Sequence, residues 1–583
     1  MSSLQASDAE GILAHLDEEQ QAVATAVKGP VSVLAGAGTG KTRAITHRIA
    51  YGIATGTYSP DRVLALTFTN RAAGEMKTRL RALGAGTVAA STFHAAALRQ
   101  LRHFWPLVTG GDAPRVLEGK ARILAEAARE VGLKLDPNTL RDVASEVEWR
   151  KVTNRTLEAY ASIAPSRVLP GSLSANQMLE IMRAYEQLKD DRGQIDFEDV
   201  LLLTAGMLAN EKSVLMQVHE RYRFFVVDEY QDVSPLQHDV LGLWLGNRRE
   251  LCVVGDASQT IYSFTGATSD YLLNFARDYE DAQLFRLETN YRSTEPIVEA
   301  ANALMRGRSG ALTLHAQEKS GRSPEIVQFP TDVAEAQGIA ARIQADIAKG
   351  VAPEDIAVLY RINVQSAALE QALTDVNVSY QVHGATRFYD MPEVKQAIMA
   401  LRAASVAVAG EPLFKSVSDV LRDLGWTQQA PAGTGSVRAK WEALNALMVM
   451  ADEAPSTTSF RAFTDELLAR QEARHEPTLH AVTLASIHSA KGLEWKHVYV
   501  VGVSEGLLPI SYAQGVEAIA EERRLLYVAM TRAERSLTLS WAVTDPTRQS
   551  EREPSRFLAE IGSRTRDVAG SPGVTSDPSA ARS

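Results

Sequence analysis

Seven short apolar runs recur along the chain: "VSVLAG" (31–36), "VLALTFT" (63–69), "FFVVDE" (224–229), "ELCVVGD" (250–256), "IAVLYR" (356–361), "HVYVVGV" (497–503) and "SLTLSW" (536–541). Their hydrophobicity is continuous rather than alternating, which predicts strands of a parallel sheet covered by helices on both faces. The runs fall in two groups on either side of about residue 290, so two α/β units are expected. Between about 105 and 195 the pattern becomes helical, as in "ARILAEAAREVGL" and "ANQMLEIMRAYEQLKDDRG". It is helical again from about 403 to 477, interrupted by "QQAPAGTGS". Both stretches read as insertions into the α/β units. The last 21 residues, "SRTRDVAGSPGVTSDPSAARS", are rich in Ser, Gly and Pro and are expected to be disordered. No internal repeat of solenoid period is visible. The resulting partition is 1–104 and 196–289 for the first α/β unit, around an insertion at 105–195. The second unit takes 290–402 and 478–562, around an insertion at 403–477, and a tail occupies 563–583.

Length agrees with several cores: 583 residues correspond to roughly four domains. Hydrophobic residues at 45% and charged residues at 23% are the balance of a soluble globular enzyme. The net charge of -10 argues, taken alone, against a nucleic-acid partner, but whole-chain charge says little about one groove. The one cysteine, Cys252, lies inside an apolar strand. That excludes an internal disulfide framework and a cysteine zinc site, and suits a reducing cytosol. No apolar run approaches the ~18 residues of a membrane helix. The start "MSSLQASDAEG" lacks the basic and apolar regions of a signal peptide, so a cytoplasmic protein without a membrane partner is expected.

Two stretches carry nucleotide chemistry. "VSVLAGAGTGKTR" sets a glycine-rich loop between a strand and a helix. The backbone of Gly36, Ala37, Gly38, Thr39 and Gly40 can cradle phosphates, Lys41 can reach the β/γ oxygens, and Thr42 can ligate Mg²⁺, with Arg43 following. The strict pattern has glycine where this chain has Ala35, and a small residue is tolerated there. "FFVVDEYQD" ends an apolar strand in Asp228 and Glu229. Asp228 can hold Mg²⁺ directly or through water, and Glu229 can orient or deprotonate a water attacking the γ-phosphate. Adjacent carboxylates at a strand end are costly to desolvate, which disfavours a purely structural role. A paired-acid hydrolase working without nucleotide is the competing reading, and Lys41 with Thr42 make it the poorer one. Hydrolysis of a nucleoside triphosphate is expected.

The wider set of stretches resembles superfamily 1 DNA helicases of the UvrD/Rep/PcrA type, from "LDEEQQAVA" near the start to "PSRFLAEI" near 560. Between these lie "ALTFTNRAAGEM", "STFHAAAL", "VVGDASQTIY", "LETNYRS", "VLYRINVQS", "FYDMPEVK", "LASIHSAKGLEW" and "EERRLLYVAMTRAE", in the family's order. The resemblance implies two RecA-like domains with ATP between them, single-stranded DNA across their tops, and 3′→5′ movement. By resemblance Gln20 is the adenine-reading glutamine, whose amide can both donate and accept. Tyr291 can stack on the base and Arg292 can reach the γ-phosphate. Arg532 in "AMTRAE" can serve as an arginine finger, a device worth roughly 10³–10⁵ in rate. The match puts Glu494 of "HSAKGLE" near the ribose and the rest of that stretch at the domain interface.

DNA contacts in such a motor combine base stacking, about 1–3 kcal/mol per base, with phosphate contacts. Phe68 and Asn70 stand at a strand end ahead of a helix carrying Arg71, Lys77, Arg79 and Arg81, and Thr92 and His94 precede Arg99 and Arg102, so basic clusters exist despite the acidic total. For Phe93, Phe104 and Trp105 core packing is at least as good an account as base contact. Arg361 and Asn363 are the counterparts in the second unit that would grip the backbone, with His488 as a further contact; neither His94 nor His488 has the neighbours of a zinc site. In "VVGDASQTIYSFTGA", Gln259 is placed to sense the γ-phosphate and Tyr262 to stack on a base three residues later, with Phe264 beyond it.

Three departures from the family stand out. Phe264 and Thr265 replace a usual Trp and Arg, the insertion at 403–477 is short, and the chain stops soon after the core without a tetracysteine or HRDC-like module. The expected partners are single-stranded DNA and single/double-strand junctions, with DNA-repair proteins as further candidates, and the expected state is a monomer or weak dimer. The leading expectation is an ATP- and Mg²⁺-dependent 3′–5′ helicase of repair, recombination or replication restart. The alternatives are a single-strand translocase that displaces proteins with little unwinding, and a P-loop ATPase acting on a partner other than nucleic acid.

Overall fold

Alternate residues of the same strands feed two different cores. Leu64, Leu66, Phe225, Val227, Leu251 and Val253 pack on one face of a sheet. Val63, Ala65, Phe224, Val226, Cys252 and Val254 pack on the other. A strand with apolar side chains on both faces must be covered by helices on both, which is why its runs are continuous in the sequence. The computed structural model describes residues 9–384, 388–407, 411–431, 436–455, 457–472, 480–545, 550–562 and 566–569. They divide into two compact units, Met1–Tyr291 with Gly307–His315 and Pro431–Ala439, and Arg292–Arg306 with Ala316–Ala430 and Lys440–Ser583.

The sheet of the first unit is six-stranded and parallel, in the order Ala89–Thr92, Val63–Thr67, Phe224–Val227, Leu251–Gly255, Val31–Ala35, Gln283–Leu287. Four of these strands lie where the apolar runs predicted them. The two outer strands are the ones the pattern missed. Ala89–Thr92 is built of small residues with weak strand preference, and Gln283–Leu287 exposes Gln283, Leu284 and Arg286 along an edge. Because the sheet is parallel, Phe224–Val227, Leu251–Gly255 and Val31–Ala35 all end on one side. Gly36, Asp228 and Asp256 therefore leave the sheet together, where open α/β sheets bind ligands.

The first insertion has a core of its own, with Leu124, Val143, Val147, Tyr160, Met178, Met182 and Tyr185 packed between helices Ala121–Glu130, Pro137–Val152, Leu157–Ile163 and Ala175–Asp191. The expected start at 105 falls inside the helix Phe93–Thr109, which runs on from the α/β core. Arg115–Val116 and Gln194–Ile195 pair where the insertion leaves and returns. Beside this pair a buried charge knot forms: Lys151 Nζ donates to Asp196 at 2.7 Å and to Asp199 at 2.6 Å, and Lys189 reaches Asp199 as well. Paired in this way the desolvated charges offset one another. Asp196 also caps the helix Phe197–Asn210 in a reciprocal capping box with Asp199.

In the second unit the described strands run Tyr380–His383, Val482–Ser486, Ile356–Tyr360, Trp495–Val500, Ala533–Asp545, Glu325–Thr331, Arg566–Ala569, with Ser550–Glu551 antiparallel to Ala533–Asp545. Residues 566–569 thus pair with Glu325–Thr331, which corrects the expectation of disorder for those four; the other tail residues lie outside the described ones. The second insertion packs Val417, Leu421, Leu444, Leu447 and Phe463 with Val394, Ile398 and Leu401 of the helix Pro392–Ala407. Its core therefore begins before the expected boundary at 403, because that helix is continuous through it. The glycine-rich "PAGTGS" break lies largely outside the described residues.

Candidate nucleotide and nucleic-acid site

Between strand Val31–Ala35 and helix Lys41–Ala54 the chain turns through Gly38 and Gly40, both at positive φ, 71° and 78°. Ala35 is the last residue of the strand, where an extended backbone accepts a Cβ, so the missing glycine costs nothing. The loop carbonyls are held by one bond from within the loop and three from outside it. Thr39 Oγ1 donates to the Gly36 carbonyl (2.9 Å), Asn290 Nδ2 to Ala37 (2.7 Å), the Tyr291 N–H to Gly38 (2.9 Å) and Gln20 Nε2 to Thr39 (3.0 Å). Four successive carbonyls are thereby engaged, which sets the loop's shape before any ligand arrives. The Arg43 guanidinium donates to the His15 carbonyl, which ties it to the chain ahead of helix Glu18–Thr25.

Asp228 follows strand Phe224–Val227, and its Oδ2 accepts the Thr42 hydroxyl at 3.1 Å. Its other oxygen accepts the Glu229 N–H at 2.9 Å. Burial, and then the neighbouring Glu229 carboxylate, push the Asp228 carboxyl up to about 7, against the pull of Lys41. Glu229 holds a left-handed backbone at φ 54°, a strained geometry for a non-glycine residue and one that clusters at functional sites.

A buried amide continues the site. Gln231 Nε2 donates to Glu229 at 2.5 Å, and its Oε1 accepts the Asp256 N–H at 2.9 Å. Asp256 in turn accepts the Gln259 side-chain amide at 2.7 Å. Burial raises the Asp256 carboxyl, with Lys41 and the Gln259 amide opposing. Glu229, Gln231, Asp256 and Gln259 therefore form one hydrogen-bonded path across two adjacent strand ends. Three residues on, Tyr262 stacks on Phe68 with centroids 5.5 Å apart and planes at 19°, and meets Phe264 edge-on at 6.2 Å. Phe68 is 40% exposed and Phe264 63%. Thr265 donates its hydroxyl to the Tyr262 carbonyl at 2.8 Å, so it closes the turn on which the aromatics sit. Asn70 opens the helix Asn70–Ala82 beside Phe68, capped by Thr69.

A second aromatic pair lies on the same unit. His94 stacks on Phe197, centroids 4.0 Å apart and planes at 11°, and the Phe197 ring is 52% exposed. Burial, and then Lys120, lower His94 to about 4, so the imidazole is neutral at neutral pH. Thr92 caps the helix that carries His94, accepting the Ala95 N–H at 3.2 Å. Phe93 and Phe104 belong to the core and Trp105 packs against it, which settles that alternative for them.

Sequence reading missed Gln231 and Phe197. The first sits inside a quoted motif but acts through its partners. The second shows only an exposed aromatic at a helix start, and only packing brings it to His94.

In the second unit Arg292 donates to Glu494 at 2.5 Å and to the Thr531 carbonyl at 3.1 Å. The two residues assigned by resemblance to γ-phosphate and ribose are thus partners of each other. Arg532 is 2% exposed and donates to the carbonyls of Val528 (2.9 Å) and Leu493 (3.1 Å) and to the Thr531 hydroxyl (3.2 Å). Arg361, expected to grip the DNA backbone, has a carboxylate partner within its own unit. Its guanidinium grips the buried Glu522 carboxylate through Nε and Nη2, the latter at 2.7 Å, so its charge is already paired. Asn363 begins a short turn two residues further on, Asn363–Gln365. His488 is lowered to about 3 by burial and then by the charges of Arg361 and Lys491.

Strand, glycine loop and helix on a parallel sheet, with a strand-end aspartate bonded to Thr42 in the first turn of that helix, define the class as a P-loop nucleotide-binding fold. Comparison with known proteins makes this more specific. Residues 16–280 match the UvrD/REP helicase N-terminal domain, and residues 285–425 and 411–544 match the UvrD-like helicase C-terminal domain. The ATP-dependent DNA helicase UvrD2 of Mycobacterium tuberculosis is 45% identical over 579 residues, covering 95% of this chain and 83% of that protein. The ATP-dependent DNA helicase PcrA of Leuconostoc citreum is 30% identical over 649 residues, covering 95% and 85%. PcrA of Staphylococcus aureus is 28% identical over 650 residues, covering 94% and 86%. This chain belongs to the UvrD-like helicase family.

Proposed function

We propose that the protein is an ATP-dependent DNA helicase that moves 3′→5′ on single-stranded DNA and opens duplex at single/double-strand junctions. Repair, recombination or replication restart is its setting, in the cytoplasm, as a monomer or weak dimer. The observation that carries the proposal is the path Glu229–Gln231–Asp256–Gln259, whose Asp256 carboxylate feels the Lys41 charge and which ends three residues before the Phe68–Tyr262 stack. A motor needs this kind of link between a hydrolysis site and a base-stacking surface, whereas an ATPase acting on another partner has no use for the stack.

Each residue then has a task. Lys41 and the loop 36–40 hold the triphosphate, and Glu229 takes a proton from the attacking water. Gln259 senses the γ-phosphate. Thr42 and Asp228 would hold Mg²⁺; burial and the neighbouring Glu229 carboxylate raise the Asp228 carboxyl to about 7 despite Lys41, as suits a site for a further cation. That ion supplies charge neutralisation at the phosphate oxygens. Gln20 and Tyr291 select the base, Glu494 serves the ribose, and Arg292 and Arg532 contribute positive charge to the transition state. Phe68, Tyr262 and Phe264 are assigned to bases, as is Phe197 on His94. Asn70, Thr92, Asn363 and His488 are assigned to the strand.

Weak unwinding coupled to efficient translocation is the second reading. Thr265 favours it, because its hydroxyl closes a turn where the family resemblance leads one to expect an arginine. ATPase measured with and without oligonucleotide, beside strand displacement on 3′- and 5′-tailed duplexes, tests both readings. Displacement of the 3′-tailed duplex only is expected, and strong stimulation without displacement selects the translocase. No stimulation at low salt removes the nucleic-acid motor altogether. Glu229→Gln should abolish turnover while ATP and DNA still bind.

A further inference from the structure

The carboxylate of Asp17 is used in two directions. Oδ1 accepts the Gln20 N–H at 2.7 Å and caps the helix Glu18–Thr25. Oδ2 accepts the hydroxyl of Tyr291, a residue 274 positions further along the chain. One carboxylate therefore holds the backbone of Gln20 and the hydroxyl of Tyr291, the two residues to which base selection is assigned. The Gln20 side chain is buried and held to the Thr39 carbonyl, so its position is set by the phosphate loop as well as by its helix. Glu19 adds a second tie across the same gap, its Oε2 accepting the N–H groups of Glu288 (2.8 Å) and Thr289 (3.3 Å) just before Tyr291.

Tyr291 remains 48% exposed although its hydroxyl is tethered. The tether thus holds the ring at its hydroxyl end while much of the residue's surface stays accessible to a flat ligand. Partial burial, and then the bond to Asp17, raise the phenol well above its ordinary value, so it stays a donor at neutral pH. An untethered tyrosine at this exposure would pay rotamer entropy on stacking, a cost the tether removes in advance.

We propose that Asp17 is a positioning residue for the nucleotide base: it locks the Gln20 turn and the Tyr291 ring into one preorganised unit, so that edge reading and stacking are set before ATP arrives. The proposal rests on the nucleotide reading of the site. Its rival is that Asp17 is a helix cap and no more.

Three variants of the full chain separate these. Asp17→Ser keeps a good cap but is too short to reach the phenol. Tyr291→Phe keeps the ring and the cap but loses the hydroxyl. Asp17→Asn keeps an acceptor for the Gln20 N–H and turns an amide donor to the phenol oxygen. The expected result is a KM for ATP raised roughly three- to tenfold in both Asp17→Ser and Tyr291→Phe, the size of one hydrogen bond, with a much smaller change in kcat. The double variant should be no worse than either single one, and Asp17→Asn should restore KM most of the way. Unchanged KM in Tyr291→Phe, or additive losses in the double variant, overturns the proposal. If Asp17→Ser does not fold, Tyr291→Phe and Asp17→Asn decide alone. Lys41→Ala keeps this separate from the nucleotide reading: hydrolysis surviving in that variant sinks the site itself, whereas Lys41-dependent hydrolysis with an indifferent Tyr291→Phe sinks only the tether.

Discussion

Gln231 donates its side-chain N–H to the carboxylate of Glu229 at 2.5 Å. Its Oε1 accepts the backbone N–H of Asp256, the residue that leaves the adjacent strand, so one buried amide spans two strand ends. Gln231→Ala leaves that N–H buried without its partner, a general cost of about 1–3 kcal/mol, and frees Glu229 to move. We expect kcat for DNA-stimulated ATPase to fall at least about tenfold, with a measurable loss of denaturant midpoint. A variant with normal kcat and full DNA stimulation would remove Gln231 from the path.

Phe68 and Tyr262 lie face to face, and replacing one partner tests whether their surface is a DNA surface. Stacking on a base is worth about 1–3 kcal/mol, so Tyr262→Ala should raise the oligonucleotide concentration for half-maximal ATPase stimulation roughly five- to a hundredfold. Turnover without DNA should fall much less. Equal losses in both assays would mean that the pair is packing alone.

Glu335 provides a pH test away from the nucleotide. Its Oε1 accepts the Gly502 N–H at 2.9 Å and the Ser540 hydroxyl at 2.5 Å. Burial raises its carboxyl from 4.5 to about 7. The native state therefore binds this proton more tightly than the unfolded chain. Its contribution is complete below about pH 4.5 and is lost as pH rises through 7, by about 3 kcal/mol at most. Glu335→Gln keeps the acceptor and removes the titration, so urea unfolding should show it gaining on the native protein between pH 5 and 8. Superimposable pH profiles would show that Glu335 does not titrate in this range.

Arg361 and Glu522 form a pair in which both side chains are largely buried, and Glu522 also accepts the Ile510 N–H at 3.1 Å. Glu522→Ala leaves the guanidinium uncompensated and should cost about 3–5 kcal/mol in unfolding free energy. Arg361→Ala should leave the salt dependence of DNA binding unchanged. A slope lower by about one would instead return Arg361 to the DNA backbone.

The nucleotide half of the site was legible because its geometry is local. A strand, a glycine loop and Lys41–Thr42 specify their own arrangement over a dozen residues, and a carboxylate at the end of an apolar run is visible as such. The DNA half was legible only in part. Phe68 and Tyr262 could be singled out one by one, but their stack is a contact across 194 positions. Phe197 follows the first insertion and shows no periodicity of its own, so its meeting with His94 was out of reach. The partner of Arg361 was hidden for the same reason: Glu522 lies 161 positions further along, and only the fold brings it to the strand end. The two outer strands of the first sheet escaped because edge positions relax the demand for apolar residues on both faces.

By itself, then, the sequence determined the parallel α/β class, the helical insertions, the phosphate loop and the family to which the chain belongs, since each is written in residues close together or in motifs kept in order. Tertiary structure alone decided that Gln231 bridges two strand ends, that Asp17 holds Tyr291, that Arg292 pairs with Glu494, and that the core of the second insertion begins ahead of residue 403. These depend on which distant groups share a buried volume. A desolvated polar group must find a partner there, and local pattern carries no record of which partner the packing brings.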